Sequence, residues 1–248
     1  MAYAGLTAHA LGLDVGIVTA AADACELGAL RGVAVHRVPS AETTRFENRY
    51  TDAGERRTQF LRGRAASLSV EAVPVEWRDA SIAHLAPVAN ELDAAMATSF
   101  VHPRLALTPQ GWMRSWDAGG LVSRASWERA EAALSAAWAT VVSLEDIGGD
   151  WALAERWGRE ANALAVTQGA MGATVFWRGR RRSFRAPKVE VVDLTGAGDV
   201  FAGCFFTHFY QAGDAWDAAR QAVLLASESV TAVGMAGISR GPRLTRYR

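Results

Sequence analysis

The most informative stretch of the chain places two carboxylates around a short glycine turn. It runs from Val189 to Gly203 and reads VEVVDLTGAGDVFAG. The valine-rich start predicts a strand, and the apolar residues after Asp199 predict a helix. Two glycines around an alanine let the backbone turn tightly and leave amide N–H groups uncovered at the positive end of that helix, where anions bind. Asp199 alone could simply cap the helix, but this does not account for Asp193 before the turn.

Two acids beside a phosphate site suit phosphoryl transfer. One carboxylate can help hold the magnesium ion that bridges nucleotide phosphates, while the other accepts the proton of an attacking hydroxyl. The residues alone leave a purely structural glycine turn equally open, because short glycine motifs often match by chance.

The segment DLTGAGDVFAG resembles the C-terminal signature of the ribokinase-like (PfkB) carbohydrate kinases, commonly D-[TS]-x-G-A-G-D followed by a helix of small residues. The resemblance implies that Asp199 is the catalytic base and contacts the substrate. It also implies that Asp193 lies near magnesium and the triphosphate, and that Thr195 is in the nucleotide-binding turn. The backbone of three successive residues would form the anion hole: Gly196, Ala197 and Gly198. Leu194, where the family often has Thr or Pro, is a mild departure that affects none of these roles.

Composition excludes several other classes of protein. The 248 residues can form one large core, or a core with an appendage. Lys plus Arg equals Asp plus Glu at 26 each, so no net field draws the protein to nucleic acid or to an anionic membrane. Two cysteines are too few for a disulfide framework, and neither an export signal nor a membrane-length apolar window is present, so we expect a cytoplasmic protein.

One run of the sequence is basic, and the histidines are scattered. A solvated hairpin turn around Gly179 explains the basic run better than a nucleic-acid patch does; its arginines are Arg178, Arg180, Arg181, Arg182 and Arg185. The five histidines show no metal-ligand spacing, and we interpret them as ordinary surface or core residues.

Strands and helices alternate after Trp77. The predicted strands are Ser81–Ala86, Arg104–Thr108, Thr140–Leu144, Ala163–Thr167 and Ala173–Arg178. The predicted helices are Glu91–Thr98, Trp127–Trp138, Trp151–Arg159 and Ala215–Val233. This alternation predicts a parallel sheet with helices on both faces and ligands beyond the carboxyl ends of its strands. With the resemblance, we expect a ribokinase-like three-layer α/β/α fold with a mostly parallel central sheet plus a small β lid. The core would comprise residues 1–30 and 79–248, and the lid residues 31–78.

The lid prediction depends on short alternating or β-branched runs between residues 32 and 77. These runs read GVAVHRVPS, TTRFENRYT, ERRTQFLRG and SLSVEAVPVEW, and each predicts a strand. The resemblance makes them a lid over a sugar, with Thr44 and Phe46 near the substrate and a hairpin turn at 52–56. An edge sheet or a dimer surface is the alternative, and a homodimer through the lid would combine both roles.

Loops that leave the predicted strands supply further candidate site residues. Gln110, followed by Arg114, could contact substrate or phosphate, or belong to a structural loop. The segment around Glu145 and Asp146 is similar in position to the family's N-x-x-E element, which orders magnesium through water, although Ser143 replaces the amide. Capping of the next helix would also explain these two acids.

Two more segments are placed near the nucleotide by the resemblance. Val166–Gly172 is similar to the family's V-T-x-G-x-x-G, which implies that Thr167, Gly169 and Gly172 lie beside the nucleotide. On the last long helix, Ala226 and Ser229 would adjoin the purine. Their small size is also what close helix packing requires.

The chain begins with a small-residue helix, Tyr3–Leu11, followed by Gly12 and a strand at Val15–Ala20. In the family, a first strand with a substrate-binding Asp and a Gly pair precedes this helix. By this resemblance, Tyr3 stands at the family's substrate-binding Asn, so the first strand, its Asp and the Gly pair are missing from the sequence. We therefore expect a truncated chain or a misassigned start codon.

These observations predict an ATP- and Mg²⁺-dependent kinase that phosphorylates a hydroxyl of a small-molecule sugar, nucleoside or similar polyol, and binds neither nucleic acid nor membrane. The alternative is a kinase-fold protein that binds nucleotide or sugar without turnover, which the missing N-terminal Asp and Ser143 favour. An NAD-dependent oxidoreductase fits less well, because Phe201 stands where the third glycine of G-x-G-x-x-G belongs.

Overall fold

The computed structural model describes residues 1–28, 30, 32–51, 56–98 and 104–238. Its helices are α1 (Ala2–Ala10), α2 (Ala130–Ala136), α3 (Trp151–Glu160), α4 (Ala197–Ala212) and α5 (Ala215–Ser229). Its strands are β1 (Gly16–Ala21), β2 (Ala34–Pro39), β3 (Arg45–Thr51), β4 (Arg56–Gly63), β5 (Ile82–Leu85), β6 (Arg104–Leu107), β7 (Arg114–Trp116), β8 (Val122–Arg124), β9 (Ala139–Ser143), β10 (Ala163–Thr167), β11 (Ala173–Trp177) and β12 (Arg180–Phe184). Apart from Arg56, the predicted hairpin turn at 52–56 lies outside the described residues. No helix in the described ranges is both long and apolar enough to cross a membrane.

Six of these strands form the central sheet, in the order β12-β11-β10-β9-β6-β5. β5, β6, β9 and β10 run parallel, which confirms the predicted sheet, and β11 and β12 add an antiparallel edge. The hairpin between β11 and β12 turns at Arg178 and Gly179, both with positive φ. The arginine run is therefore part of a hairpin, as predicted.

Side chains alternate between the two faces of the sheet, as the period of a strand requires. On one face, Leu107 and Val166 share a core cluster with Leu134 of α2 and Trp157 of α3. On the other face, small sheet residues pack against aromatic residues of α4 and α5: Ala106, Ala139, Ala165, Phe205 and Trp216. Alanines on this face let the two helices approach closely, and the result is the predicted three-layer α/β/α arrangement.

The strands of the predicted lid belong to two separate two-stranded sheets. β1 pairs in parallel with β2, and β3 pairs in antiparallel with β4. The predicted boundary at residues 30 and 31 thus falls between two strands that pair with each other. The strand predicted from SLSVEAVPVEW was wrong: 3-10 helices form at Val70–Ala72 and Val75–Trp77, and Pro74 between them has no N–H to donate to a sheet.

Four other element predictions need correction. The helix expected at Glu91–Thr98 is a 3-10 helix at Ala94–Thr98, because the Glu91 carbonyl accepts from the Leu68 N–H and Leu92 forms a parallel bridge with Leu68, which keeps this backbone extended. The strand expected before the glycine turn does not form. Residues 189–192 are exposed, and the Val192 N–H donates to the Val230 carbonyl instead of to a neighbouring strand. The predicted helices Trp127–Trp138 and Ala215–Val233 are shortened to α2 and α5.

Helix α1 packs directly along α4. A Cβ atom on Gly203 of α4 would lie 2.6 Å from the Ala4 carbonyl oxygen of α1, so glycine is required for this approach. Thr7 of α1 is fully buried at this contact and donates to the Tyr3 carbonyl at 2.8 Å. This packing brings the first residues of the chain to the amino end of α4.

Candidate active site

The glycine turn forms the amino end of α4. Gly196 is its N-cap in the left-handed conformation at φ 79°, and its carbonyl accepts from the Val200 N–H at 2.8 Å. No described residue accepts a hydrogen bond from the N–H groups of Gly198 or Asp199. A Cβ atom on Gly198 would meet nothing within 4 Å. The first turn of α4 therefore offers unpaired donors and open space to an anion.

Tyr3 covers the back of this turn. A side chain on Gly196 would overlap the Tyr3 ring, so the aromatic residue and the glycine are packed against each other. Burial raises the pKa of the Tyr3 phenol, and the charges of Asp193 and Asp199 raise it further. Tyr3, predicted as a substrate contact, thus lies within electrostatic range of both signature carboxylates.

Asp199 lies in the first turn of α4 and is partly accessible. Its side chain is 36% exposed, and one carboxylate oxygen accepts a hydrogen bond from the Met1 ammonium at 2.9 Å. A carboxylate at this position is next to the unpaired amides that an anion would use. Chemically, it can take a proton from a hydroxyl that attacks a bound phosphoryl group.

Asp193 holds the turn through both of its oxygens. One oxygen accepts from the Thr195 N–H at 2.8 Å, and the other accepts from the Gly234 N–H at 2.9 Å. These contacts, together with the Thr195 hydroxyl as the largest contribution, lower the pKa of Asp193 below its usual value. The backbone N–H groups of Val192 and Asp193 also donate to the Val230 carbonyl. The turn is therefore tied to the segment that follows α5.

A second polar cluster lies where β6 and β9 end. The Gln110 amide donates to the Asp146 carboxylate at 3.0 Å, so two predicted site residues are in direct contact. Burial raises the pKa of Asp146, whereas the hydrogen bond from Gln110 and the charge of Arg114 act in the opposite direction. Glu145 is exposed, and its N–H donates to the Ser143 hydroxyl.

Arg114 connects this cluster to the lid. Its guanidinium carbon lies 5.2 Å from the centre of the Phe46 ring, and the group also donates to the Val88 carbonyl at 3.0 Å. Phe46 of β3 is thus placed beside Arg114, and its contact with the substrate stays a prediction. The Thr44 hydroxyl instead accepts from the Ala65 N–H, which gives it a structural contact within the lid.

His84 is a half-buried neighbour of the site, and the sequence gives it no role beyond that of an ordinary residue. It lies on β5, with Nε2 3.0 Å from the Thr108 hydroxyl and its ring 5.0 Å from that of Phe206. Burial lowers its pKa to about 4; the Met1 ammonium also lowers it, and Asp199 raises it. His84 is thus close enough to Asp199 to feel its charge. Its position in an apolar strand gives no sequence signal of this proximity.

The remaining predicted residues are not brought into these clusters by any described contact. Thr167 ends β10, and the turn to β11 is closed by Gly172, where a side chain would overlap the Phe184 carbonyl. Gly169 lies in this same turn, with positive φ. On α5, the Ser229 hydroxyl donates to the Ala226 carbonyl at 2.8 Å. Their nucleotide contacts stay predictions.

The predicted metal ligands do not form one cluster. Within the described residues, no group of three or more His, Cys, Asp or Glu side chains could hold a metal ion. This arrangement still fits Mg²⁺, which commonly takes only one or two protein carboxylates together with substrate phosphates and water. The roles of Asp146, Glu145 and Asp193 toward the metal stay predictions.

Comparisons with known proteins fit this geometry. Residues 138–239 match the model of the pfkB family carbohydrate kinases. The resemblance to this family is confirmed. The matched region begins at residue 138, and it contains the glycine turn of α4 and the loop after β9. Deoxyribokinases from Salmonella typhi and Salmonella typhimurium are each 43% identical over 75 residues, which is 29% of this chain and 24% of theirs. The match therefore spans about a quarter of the length of these relatives.

Solved structures are similar in fold to nearly the whole chain. A sulfate complex of a pyrophosphate-dependent kinase in the ribokinase family superposes with a TM-score of 0.82 at 22% identity, covering 92% of this chain and 85% of that one. Ribokinase from Thermotoga maritima gives a TM-score of 0.71 at 19% identity, covering 97% and 82%. The fold is ribokinase-like, as predicted.

Proposed function

We propose that this protein is a kinase that transfers the terminal phosphoryl group of ATP to a hydroxyl of a sugar, nucleoside or similar polyol. The observation that carries the proposal is the position of Asp199 beside the unpaired N–H groups of Gly198 and Asp199. It combines a proton acceptor and an anion site in one helical turn, which is what attack of a hydroxyl on a phosphoryl group needs.

Each group of the turn has a separate task in this reaction. The Asp199 carboxylate accepts the proton of the attacking hydroxyl, and the first-turn amides stabilise the charge on the transferring group. Asp193 keeps the turn in shape through its bonds to Thr195 and Gly234. Tyr3 supports Gly196 from behind and excludes water from that side of the turn.

Mg²⁺ would neutralise the phosphate charge when bound. Asp146 and Glu145 are the carboxylates we assign to it, through water, because they follow β9 at the edge of the sheet where Gln110 also lies. Gln110 positions Asp146, and Arg114 adds a positive charge to the same cluster.

ATP is favoured as donor by exposed apolar side chains next to the turn. Val192 is 55% exposed, and Leu194 and Val233 are each 70% exposed. All three adjoin Asp193 or its partner Gly234 in sequence. A pyrophosphate donor would leave these side chains in water, whereas an adenine base would cover them. Pyrophosphate is the second candidate donor, because kinases that use it are among the similar structures.

The acceptor is proposed from two kinds of relative. The curated relatives are deoxyribokinases, and one similar structure is that of a pyrophosphate-dependent kinase complexed with myo-inositol. Both are kinases of small polyols. Gln110 and Tyr3 provide amide and phenol groups that can recognise hydroxyls. The homodimer expected through the lid stays a prediction.

The proposal is tested by phosphoryl transfer from ATP or pyrophosphate to a panel of pentoses, deoxyribose, hexoses, inositol and nucleosides. Asp199→Asn is expected to lower kcat about 10²- to 10⁴-fold, because it removes the base but preserves size. Asp14→Asn, an exposed carboxylate distant in sequence from the turn, is the matched control and keeps full activity. Nucleotide binding without turnover on any acceptor would instead support the alternative of a kinase-fold binding protein.

A further inference from the structure

A broad groove lies at the end of the sheet opposite the candidate active site. Its volume is about 1220 Å³, comparable with or larger than ordinary small-molecule pockets of roughly 300–1,000 Å³. The residues that line it come from the amino ends of β6, β9 and β10 and from the hairpin after β11. We call it the arginine groove, after the five arginines in its lining: Arg104, Arg159, Arg178, Arg180 and Arg181.

Helix α4 separates the arginine groove from the active site. Asp199 lies in the first turn of this 16-residue helix, whereas Phe209 and Tyr210 in its last turns line the groove. At 1.5 Å per residue, the two regions are about 15 Å apart along the helix axis. The groove is therefore not an extension of the phosphate site at Gly198.

Two of the arginines are held against aromatic rings. The Arg104 guanidinium carbon lies 5.0 Å from the centre of the Tyr210 ring, and that of Arg178 lies 4.3 Å from the Trp177 ring. Stacking fixes the plane of a guanidinium and leaves its N–H edges available to other acceptors. Both groups are thus positioned before any ligand binds.

The groove also has more positive charge than its own acid can balance. Arg181 is paired with Glu155 at 2.6 Å, and Glu155 is the acidic residue in the lining. Within the described residues, neither Arg159 nor Arg180 has a carboxylate partner. Arg159 near the end of α3 also offsets the negative end of that helix. That role does not explain four further arginines around one concave surface.

We propose that the arginine groove binds a small ligand that carries two or more closely spaced phosphate groups, such as a sugar bisphosphate or a nucleoside triphosphate. Arginine forks bind phosphate oxygens in pairs, and each such bond is charge-assisted. The ligand would bridge the unpaired Arg159 and Arg180, with the stacked Arg104 and Arg178 at its sides. Because the whole chain has equal numbers of acidic and basic residues, this is a local feature and not a general affinity for polyanions.

The test uses inorganic tripolyphosphate as probe, measured by isothermal titration calorimetry on the full chain without divalent cations. Gly198→Asp blocks the active-site anion hole, since a carboxylate there repels phosphate and its Cβ atom meets no neighbour. In this background, we expect one site to remain. Arg159→Gln with Arg180→Gln should weaken that site at least about tenfold, because two charge-assisted partners are lost.

The matched control is Arg129→Gln with Arg156→Gln, which removes the same charge from residues that do not line the groove. The control pair should change affinity less than about twofold. Loss of all binding in Gly198→Asp, or equal weakening by both pairs, would overturn the proposal. So would tighter groove-dependent binding of a single-stranded oligonucleotide than of tripolyphosphate, since it would indicate a nucleic-acid surface.

Discussion

Asp193 and Asp146 were both predicted near magnesium, but their surroundings differ in nearly every respect. Asp193 accepts from the backbone N–H groups of Thr195 and Gly234 in an accessible turn, and its pKa is lowered. Asp146 is half-buried beside Gln110, and desolvation raises its pKa. An aspartate is thus stabilised as an anion at position 193 and destabilised as an anion at position 146.

This difference separates two kinds of task. A carboxylate whose oxygens already accept from two backbone donors is suited to holding a loop, and we assign Asp193 to the shape of the glycine turn. A carboxylate that burial disfavours gains most from a positive partner. We therefore propose that Asp146, more than Asp193, contributes to Mg²⁺ binding through water.

The first prediction tests how rigidly the turn is built. Gly196→Ala should lower the free energy of unfolding by roughly 2–5 kcal/mol, because alanine at φ 79° is strained and its methyl group would overlap the Tyr3 ring. Urea denaturation measures this loss. Donor affinity should fall with it.

Gly198→Ala is the matched control, since its Cβ atom meets nothing within 4 Å, and it should change stability by less than about 1 kcal/mol. The double variant Tyr3→Ala Gly196→Ala should recover the part of the stability that is lost to steric overlap, but not the part that is lost to backbone strain. Equal stability of Gly196→Ala and wild type would show that the turn adapts freely, and that Asp193 has no fixed shape to maintain.

The second prediction tests the effect of burial, using His84. Its pKa is about 4 in the folded protein and near 6.5 when exposed, so the unfolded chain binds a proton first as the pH falls. Stability should therefore decrease between pH 6.5 and 4, by about 3 kcal/mol at 1.36 kcal/mol for each pKa unit. Urea denaturation at several pH values measures the slope of the free energy of unfolding against pH.

His84→Gln keeps a polar contact to Thr108 but cannot titrate in this range, so its stability should be less dependent on pH than that of wild type. The exposed His9→Gln is the control and should leave the slope unchanged. If His84→Gln and wild type lose stability in parallel, His84 does not resist protonation in the folded protein.

Periodicity and the signature motif were sufficient to predict much of this molecule. The strands β9, β10 and β11 are short, nearly continuous apolar runs, as strands buried on both faces require, and α3 has one apolar face, so local pattern and packing agree. The run Val189–Val192 shows the limit. Its β-branched residues indicate a strand, but a strand also needs a neighbour with free hydrogen-bonding groups, and here the partner is the Val230 carbonyl after a helix.

The site shows the same division. The motif placed Asp199 and Gly196 at the start of a helix, because glycine turns and helix caps are local in sequence. The contact between Gln110 and Asp146, 36 residues apart, depends on β6 and β9 being neighbours in the sheet. The stacking of Tyr3 on Gly196 and the burial of His84 near Asp199 likewise require the packing of α1 and β5 against α4. No spacing in the sequence encodes them.

The smallest predicted effects come from the pair Asp193→Asn and Asp146→Asn, which should change stability in opposite directions. Measured at pH 7 with EDTA, Asp193→Asn should lower the free energy of unfolding. A carboxylate with a lowered pKa contributes stability above its unfolded pKa and loses that stability only as the pH falls through its folded pKa.

Asp146→Asn should instead raise the free energy of unfolding at pH 7, by about 1 kcal/mol or less. A carboxylate with a raised pKa is costly to ionise in the fold, and the Gln110 side chain can still bond an amide. This gain should vanish near pH 3, where wild-type Asp146 is protonated in both states. Asp146→Asn should nevertheless weaken Mg²⁺-dependent turnover, and a variant that is both more stable and fully active would show that Asp146 has no role toward the metal.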